Sequence, residues 1–284
     1  MRGFIILVLL IFQQLSAQQL KVLHKVELDP HVSETSGLIY IGGMLWTIND
    51  SGGQPEIYQV DSTSGKILKT IRISNAKNTD WEDITTDKKH IYIGDTGNNK
   101  GKRNKGVIYK IPADIVYTAQ TIISVTADSI TFEFPDYSYQ HKTPHDFDCE
   151  AIFAYQEHLI LITKNRKNNH AFVYKIPNKK GHHIAEYINT ISSKGMVTGA
   201  DINNNGELAV VSYTRDLLFC FIDVYKIESV FSNNKSNPVI SYTLPSVEWG
   251  QVESVSWMNN NIALTNEAIK KINFPAFLKI IKPF

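Results

Sequence analysis

The chain has 284 residues and carries 29 Lys and Arg against 28 Asp and Glu, so its formal net charge is +1. This balance excludes the strongly basic surface that is typical of nucleic-acid scaffolds and of polybasic membrane binders. Hydrophobic residues make up 43% of the sequence and aromatic residues 11%, which is enough to bury one large core. The abundance of Tyr, Ile, Val and Thr favours β-structure.

Residues 1–17, MRGFIILVLLIFQQLSA, have the pattern of an export signal. One early arginine precedes an apolar run from Phe4 to Phe12, and a small-residue Ser-Ala end follows. The apolar run is too short to cross a bilayer, although a buried N-terminal strand or helix is an alternative. We therefore expect a single domain over residues 18–284, a periplasmic or extracellular location, and no transmembrane segment after cleavage.

Five stretches of the mature chain begin with an acid and then follow one pattern. An apolar-alternating run, a polar turn, a second β-rich run and a polar loop come after each acid. The stretches are ETSGLIYIGGMLWTINDSGG from Glu34, EDITTDKKHIYIGDTGNN from Glu82, EAIFAYQEHLILITKNRK from Glu150, DINNNGELAVVSYTRD from Asp201 and ESVSWMNNNIALTNEA from Glu253. Intervals of roughly fifty residues with several short strands each are typical of a β-propeller.

Two more strands follow the polar loop in the first four units, and YKIP or YKI recurs at the end of the third strand. The last unit has one strand too few, and the N-terminal stretch LKVLHKVEL is left over. We expect residues 20–28 to pair with the strand around Phe277 to Ile281 and so to close a ring of five four-stranded blades. Six blades are the alternative if the longer second interval hides extra strands, and a barrel or sandwich is the other alternative.

The acids that head the units suggest a metal site. In a propeller the first strand of each blade lines the central channel, so the five leading acids are expected to converge on its axis. The predicted ligands are Glu34, Glu82, Glu150, Asp201 and Glu253. Carboxylates that crowd together repel, and calcium takes six to eight oxygen ligands. The alternatives are acids that bond to backbone N–H groups of neighbouring blades or pair with Lys and Arg, and unrelated solvated positions.

The loops on the same face supply candidates for binding a ligand. These candidates are Asp50, Asp95, Arg103, Lys164, Arg166, Arg215 and Asn266. The cations among them suit an anionic ligand, although long basic side chains on loops are often simply solvated. Asp50 and Asp95 precede Gly-rich turns, which favours a role mainly in turn formation.

The sequence gives no catalytic residue. GxSxG, P-loop and HExxH motifs are absent, and His145 is a lone candidate for a general acid or base. Two cysteines, Cys149 and Cys220, show no CxxC spacing, so buried thiols or one disulfide are the alternatives.

Five motifs together resemble a group of exported bacterial β-propeller proteins that is similar to the SdiA-regulated and phytase-like propeller families. The motifs are SETSGL, LWTINDSGG, DWEDIT, IYIGDTGNN and DCEAI. The acid placement also resembles the calcium-activated nucleotidases (apyrases), in which a five-bladed ring holds an axial calcium. It is similar as well to sugar-lactone hydrolases, which use a Glu-headed strand and an axial divalent ion.

Two functions follow from the residues and from these resemblances. The first is a calcium-bearing propeller that binds a small anionic ligand, or an envelope protein or glycan, on its loop face. The second is a calcium-dependent hydrolase of phosphate esters, nucleotides or lactones. Fold alone does not choose between them.

Overall fold

Strands of four to eight residues, most of them apolar on both faces, follow one another along almost the whole chain. The computed structural model describes residues 20–135, 146–164, 166 and 170–283. The predicted export signal at residues 1–17 and the candidate His145 lie outside the described residues.

The described strands are named in chain order. The first half of the chain contains β1 (Lys21–Glu27), β2 (Thr35–Ile41), β3 (Met44–Asn49), β4 (Glu56–Val60), β5 (Ile67–Ile73), β6 (Trp81–Thr86), β7 (His90–Asp95), β8 (Gly106–Pro112), β9 (Ile122–Val125) and β10 (Asp128–Glu133). The middle contains β11 (Cys149–Tyr155), β12 (His158–Thr163), β13 (His170–Pro177), β14 (Gly181–Ile184), β15 (Glu186–Ser192) and β16 (Met196–Ile202).

The last part of the chain contains β17 (Glu207–Tyr213), β18 (Phe219–Lys226), β19 (Ile240–Pro245), β20 (Val252–Met258), β21 (Asn261–Asn266) and β22 (Phe277–Lys282). Two short helices, α1 (Ile227–Val230) and α2 (Ser246–Trp249), flank β19. Three 3₁₀ turns cover Pro30–Val32, Ala113–Tyr117 and Lys270–Ile272. Among the helices of the described ranges, none has the length and apolar character needed to cross a membrane.

These strands form five sheets, each with a core of four antiparallel strands, and the sheets are the blades of a five-bladed β-propeller. The inner strands, which line the central channel, are β2, β6, β11, β16 and β20. The predicted five-bladed fold is confirmed. The long second interval holds no sixth blade, because β9 adds to β5 in parallel as a fifth strand of the first blade. Likewise β14 adds in parallel to β10 of the second blade.

The N-terminal strand closes the ring, as the sequence predicts. β1 runs antiparallel to β22, with Glu27 opposite Phe277 and Lys21 opposite Lys282. The last blade therefore joins the two ends of the chain, and β22 is not left as an open edge with unpaired backbone groups. Thr35 Oγ1 lies 2.9 Å from Thr265 Oγ1 and links the first blade to the last.

Five apolar clusters fill the five interfaces between blades. Because successive side chains of a strand point to opposite faces, each blade contributes to two clusters. In β3, Trp46 packs toward the second blade, whereas its neighbour Leu45 packs toward the last blade. This arrangement explains why the second strands of the blades, such as HLILIT in β12 and ELAVVSY in β17, are nearly continuous apolar runs. Cys149 and Cys220 are both buried and free, so they are thiols and not a disulfide.

Removal of β1 should test closure of the ring. Deletion of residues 20–28 exposes the edge of β22 and removes Leu28, which is 4% exposed and packs in the apolar cluster between the first and last blades. We expect the melting temperature of the mature protein to fall by roughly 10 °C or more. Val22→Thr, at a position of the same strand that is 44% exposed, is the control and should melt like the wild type. A truncated chain that melts with the control would contradict closure.

One buried lysine makes stability depend on pH. Lys279 in β22 is 4% exposed and donates to Trp249 O at 3.1 Å and to Asn266 Oδ1 at 3.4 Å, and no carboxylate of the described residues lies in bonding range. Burial, together with Lys25 nearby, lowers the pKa of Lys279 from 10.5 to about 7. Between these values the unfolded chain holds a proton that the folded chain has released. The free energy of unfolding should therefore rise with pH across this window.

Lys279→Met should stabilise the protein at pH 6 and reduce the rise in stability between about pH 7 and pH 10.5. Urea unfolding of both proteins at pH 6, 8 and 10 measures this. Lys25→Met, at an exposed residue of β1, is the matched control, and it should leave most of the pH dependence in place. Parallel stability profiles for wild type and Lys279→Met would show that Lys279 is charged in the folded protein.

Candidate metal centre at the near mouth of the channel

A β-bulge near the start of each inner strand decides which side chain enters the channel. The pairing with the second strand of the blade skips one residue at the same place in all five blades. The skipped residues are Ser36, Glu82, Glu150, Thr198 and Glu253. A bulge re-aims a side chain, so these five residues occupy equivalent positions at one end of the channel, which we call the near mouth.

The five bulge residues are of two kinds. Ser36 Oγ donates to Trp81 O and Thr198 Oγ1 donates to Val252 O, each at 2.9 Å, so these hydroxyls join neighbouring blades. The other three are glutamates that are 3–8% exposed. The near mouth thus carries three bulge carboxylates rather than five.

Two of the five predicted metal ligands do not lie at bulge positions. Glu34 comes two residues before Ser36 and is exposed at the rim, where its carboxylate lies 3.1 Å from Lys270 Nζ. Asp201 comes three residues after Thr198 and lies toward the other end of the channel, where its Oδ2 accepts from Trp257 N at 2.7 Å and from Ser256 Oγ at 3.0 Å. The expectation that all five acids converge on one point is therefore wrong. Asp201 instead bonds the backbone of the neighbouring blade, which was the structural alternative.

In the sequence the five units are equivalent at their leading acids, whereas in the structure they are equivalent at their bulge residues. The bulge has no sequence signature of its own, but a second sequence pattern accompanies it. An acid stands two residues before the bulge in the first three blades, as Glu34-Thr-Ser36, Asp80-Trp-Glu82 and Asp148-Cys-Glu150. The motif Asp-x-Glu, present as DWE and DCE, could have identified Asp80 and Asp148 as further members of the site.

Glu82 lies where two groups of carboxylates meet. Oxygen atoms of Asp50, Asp80 and Glu82 all lie within 4.8 Å of one another, and so do those of Glu82, Asp148 and Glu150. We call these five residues the near-mouth carboxylates. Their spacing allows oxygens from several side chains to contact one cation, and carboxylate oxygens are the ligands that calcium and magnesium prefer.

Two cations balance part of this charge. Lys164 Nζ, on a side chain that is 7% exposed, lies 2.8 Å from Glu150 Oε2. Arg166 binds Asp148 Oδ2 through Nη2 at 2.5 Å and through Nε at 3.0 Å. Asp148 also accepts from Asn98 N at 2.5 Å. Asp148 and Glu150 are thus compensated by direct contacts.

Glu82 has no such compensation. Its side chain is buried and, among the described residues, accepts no hydrogen bond and makes no ion pair. Burial raises the pKa of Glu82 well above its usual value, and Glu150, Asp50 and Asp148 raise it further. Burial, with Asp50 and Asp148 nearby, also raises the pKa of Asp80 to about 6. A buried carboxylate without a partner is costly, so this position calls for a proton or a cation.

A glycine allows the carboxylates to approach each other. A Cβ on Gly97 would lie 2.0 Å from Glu82 Oε1 and 2.4 Å from Asp80 Oδ2, so no side chain fits there. The backbone of this turn is fixed by Asp80 O, which accepts from Thr96 N at 3.1 Å and from Gly97 N at 3.2 Å. The backbone of Gly97, in the GDTG turn at the end of β7, therefore lies directly against the carboxylates of Glu82 and Asp80.

The other predicted ligand-face residues divide into those that hold loops in place and those that lie at the near mouth. Arg103 is held by Asp95, with Nη1 2.7 Å from Asp95 Oδ1 and Nη2 2.9 Å from Asp95 O. Asn266 is buried and donates to Pro275 O at 3.1 Å. Arg215 is exposed and donates to Arg166 O. Asp95, Arg103 and Asn266 thus hold loops in place, whereas Asp50, Lys164 and Arg166 belong to the near mouth.

Two residues near the site, one glutamate and one tyrosine, were not predicted from the sequence in this role. Glu267 follows β21 and stands in the blade position that Asp50 and Lys164 occupy in the first and third blades. Burial raises the pKa of Glu267 to about 7, with Asp50 and Glu34 adding to the rise. Tyr213 ends β17, and its ring centroid lies 5.4 Å from Lys164 Nζ.

Comparisons with known proteins find solved structures that are similar only at low identity and low TM-score. No protein-family model and no curated protein matches the chain. Hydrazine synthase from Kuenenia stuttgartiensis is 12% identical with a TM-score of 0.42, over 82% of this chain and 56% of that one, so the chain spans little more than half of its length. A gluconolactonase from Xanthomonas campestris is 11% identical with a TM-score of 0.42, over 88% of this chain and 72% of that one. A protein of unknown function from Bacteroides caccae is 10% identical with a TM-score of 0.42, over 82% and 70%. The resemblance to the SdiA-regulated, phytase-like and apyrase families stays a prediction.

Because Asp201 and Glu34 lie in different environments, their substitution should change the free energy of unfolding by different amounts. Asp201→Ala leaves the Trp257 N–H without its acceptor and should lower the free energy of unfolding by about 1–3 kcal/mol. Glu34→Ala removes only an exposed ion pair and should cost about 0–1 kcal/mol. Urea denaturation at neutral pH measures both. Equal effects of the two substitutions would contradict the assignment of Asp201 to an interblade bond.

Proposed function

We propose that this protein is a β-propeller that binds a divalent cation, calcium, among the near-mouth carboxylates. The observation that carries the proposal is Glu82, which is 5% exposed, has no protein partner in the described ranges, and belongs to both carboxylate groups. Asp201, an acid with a structural role, differs from Glu82 because its carboxylate accepts hydrogen bonds from backbone N–H groups. A cation supplies the partner that Glu82 otherwise lacks.

The donor set fits a hard cation. Asp50, Asp80, Glu82, Asp148 and Glu150 offer only oxygen, and the glycine backbone at Gly97 adds no side chain that would fill the space. Calcium accepts irregular shells of six to eight oxygens, whereas magnesium requires a smaller and nearly octahedral shell. Carboxylates from two neighbouring blades and a connecting loop form an irregular set, which favours calcium.

The same mouth is suited to an anion. A bound divalent cation offsets Glu82 and one further carboxylate, and Lys164 and Arg166, which pair with Glu150 and Asp148, lie beside it. A carboxylate or phosphate group could complete the shell of the cation while contacting these side chains. We therefore propose a small anionic ligand, or an anionic group on an envelope protein or glycan, as the partner at this face. Export to the periplasm or the cell exterior, proposed from residues 1–17, would place the site where free calcium is abundant.

A calcium-dependent hydrolase is the second candidate. The observation that favours it is Lys164, a buried cation 2.8 Å from Glu150, which could stabilise negative charge that develops on a substrate held at the cation. Assays of phosphate-ester, nucleotide and lactone hydrolysis, with calcium and with chelator, separate the two candidates. Turnover that requires calcium and is lost in Lys164→Met would establish the enzyme.

Calcium should stabilise the folded protein. A ligand that binds only the native state adds about 2.7 kcal/mol at 100 times its dissociation constant. We expect chelator-treated mature protein to melt at a lower temperature, calcium to restore the melting temperature, and magnesium to restore it poorly. Glu82→Gln should remove most of the calcium response and should also raise the melting temperature of the calcium-free protein, since it removes a buried and repelled charge.

Glu34→Gln is the matched control for that experiment, because Glu34 lies on the same face but is exposed and paired with Lys270. It should keep the full calcium response. The proposal would be contradicted if titration calorimetry detected no calcium binding to the wild type and chelator left the melting temperature unchanged. The near-mouth carboxylates would then be protonated groups with a structural role.

A further inference from the structure

The outermost strand of the first blade comes from a different part of the chain. β9 lies between β8 and β10, which belong to the second blade, yet it pairs in parallel with β5. Thr121 O and Val125 O accept backbone hydrogen bonds from the first blade at 2.8 Å, and Ala127 exchanges two bonds of 2.9 Å with the Asn75 side chain. Residues 121–127 are therefore held in an extended conformation along the edge of the blade.

The other side of β9 has backbone groups that no described strand pairs with. Successive residues of a strand direct their N–H and C=O groups to opposite edges, so the groups of Ile122 and Ser124 point away from β5. β9 is the last strand of its sheet, and both residues are exposed, Ile122 to 74%. An edge of this kind is a template for another strand.

The side chains of this edge would not oppose pairing. No charged residue and no proline lies between Asp114 and Asp128. Ile122 stands on the same face as Thr70, its partner in β5, and as Leu68, which is 41% exposed. The edge is thus uncharged, apolar in part, and free of the charged residues and prolines with which proteins usually protect a strand edge.

The outer strands of the other four blades each have a feature that hinders such pairing. β15 is covered by Ser236, whose N–H donates to Thr190 O at 3.1 Å. The remaining features are side chains of the edge strands themselves, namely Lys21, Lys25 and Glu27 in β1, His182 and His183 in β14, and Pro245 in β19. Among the five outer strands that the structure describes, β9 alone lacks a charge, a histidine, a proline and a covering segment.

An uncharged edge favours a partner with the same sequence. Two copies that pair in antiparallel fashion about a two-fold axis bring each side chain near its own counterpart, so a charged strand would place like charges together. A strand adapted to a different protein could keep charges that match those of its partner. The edge at β9 meets the condition for self-pairing, because its exposed side chains are those of Ile122, Ser124 and Thr126.

We propose that two copies of this protein associate through antiparallel pairing of β9, which joins their first blades into one continuous sheet. Each copy has one such edge, so the assembly closes as a dimer and does not extend. One pair of short strands buries less surface than the about 1,200–2,000 Å² of a standard interface, so the dimer should be weak and reversible. The inference does not rest on the metal centre, because β9 lies at the outer end of its blade.

Sedimentation velocity of the mature protein over a range of micromolar concentrations tests the proposal. We expect a reversible equilibrium between monomer and dimer with no larger species. Hydrogen exchange identifies the contact, because the N–H groups of Ile122 and Ser124 should become protected as the concentration rises, whereas a dimer formed elsewhere would leave them unchanged. Chelator and Glu82→Gln should not alter the equilibrium, so failure of the metal proposal leaves this result unchanged.

Three variants locate the contact. Ile122→Lys places two like charges beside the two-fold axis and should weaken dimerisation by about tenfold or more. Ser124→Pro removes an N–H that points away from β5, so it should block pairing and keep the fold, with the melting temperature as the check. Thr243→Lys, at an exposed position of the β19 edge, is the matched control and should dimerise like the wild type. A monomer at every concentration, species larger than a dimer, or a dimer that survives both Ile122→Lys and Ser124→Pro would overturn the proposal.

Discussion

Five inner strands converge on one narrow channel, and the space left between them controls every other feature of this protein. A Cβ on Gly37 would lie 2.6 Å from Ile84 N, and one on Gly199 would lie 2.8 Å from Glu253 O. Side chains larger than hydrogen are excluded at these contacts. The residue one position earlier in each strand is the bulge, and it is the bulge that can direct a side chain into the channel. Crowding therefore limits the channel to a few positions, and polar residues occupy them.

The polar residues in the channel have three different roles. Ser36 and Thr198 join blades through their hydroxyl groups, and Asp83 joins three blades through one carboxylate. The bulge glutamates do neither, so they remain as negative charge removed from water. A buried charge needs a counter-charge or a proton, and Lys164 and Arg166 are too few to compensate every acid at this mouth. The imbalance comes from the geometry of the ring, and it is the physical basis for assigning a cation there.

Asp83 shows the structural use of a channel carboxylate. Its side chain is 1% exposed and accepts from Ile152 N at 2.9 Å and from Ala200 N, so it joins the second blade to the third and the fourth. The near-mouth carboxylates are built differently, from the N-terminal ends of inner strands and the loops that follow the second strands, and Glu82 among them bonds no described residue. Two carboxylates that are adjacent in the sequence, Glu82 and Asp83, thus have different environments in one channel.

The sequence by itself determined the blade count, the strand order and the closing role of residues 20–28, because each depends on local alternation and on a repeated pattern of about fifty residues. It also identified Glu82, Glu150 and Glu253 as channel residues. It misplaced Glu34 and Asp201, since a β-bulge shifts the register by one residue without a sequence signature of its own. The Asp-x-Glu pattern marks Asp80 and Asp148, but which carboxylates they meet depends on the approach of neighbouring blades. The tertiary structure alone decided which acids meet and which cations balance them, because these depend on distances between blades that lie far apart in the chain.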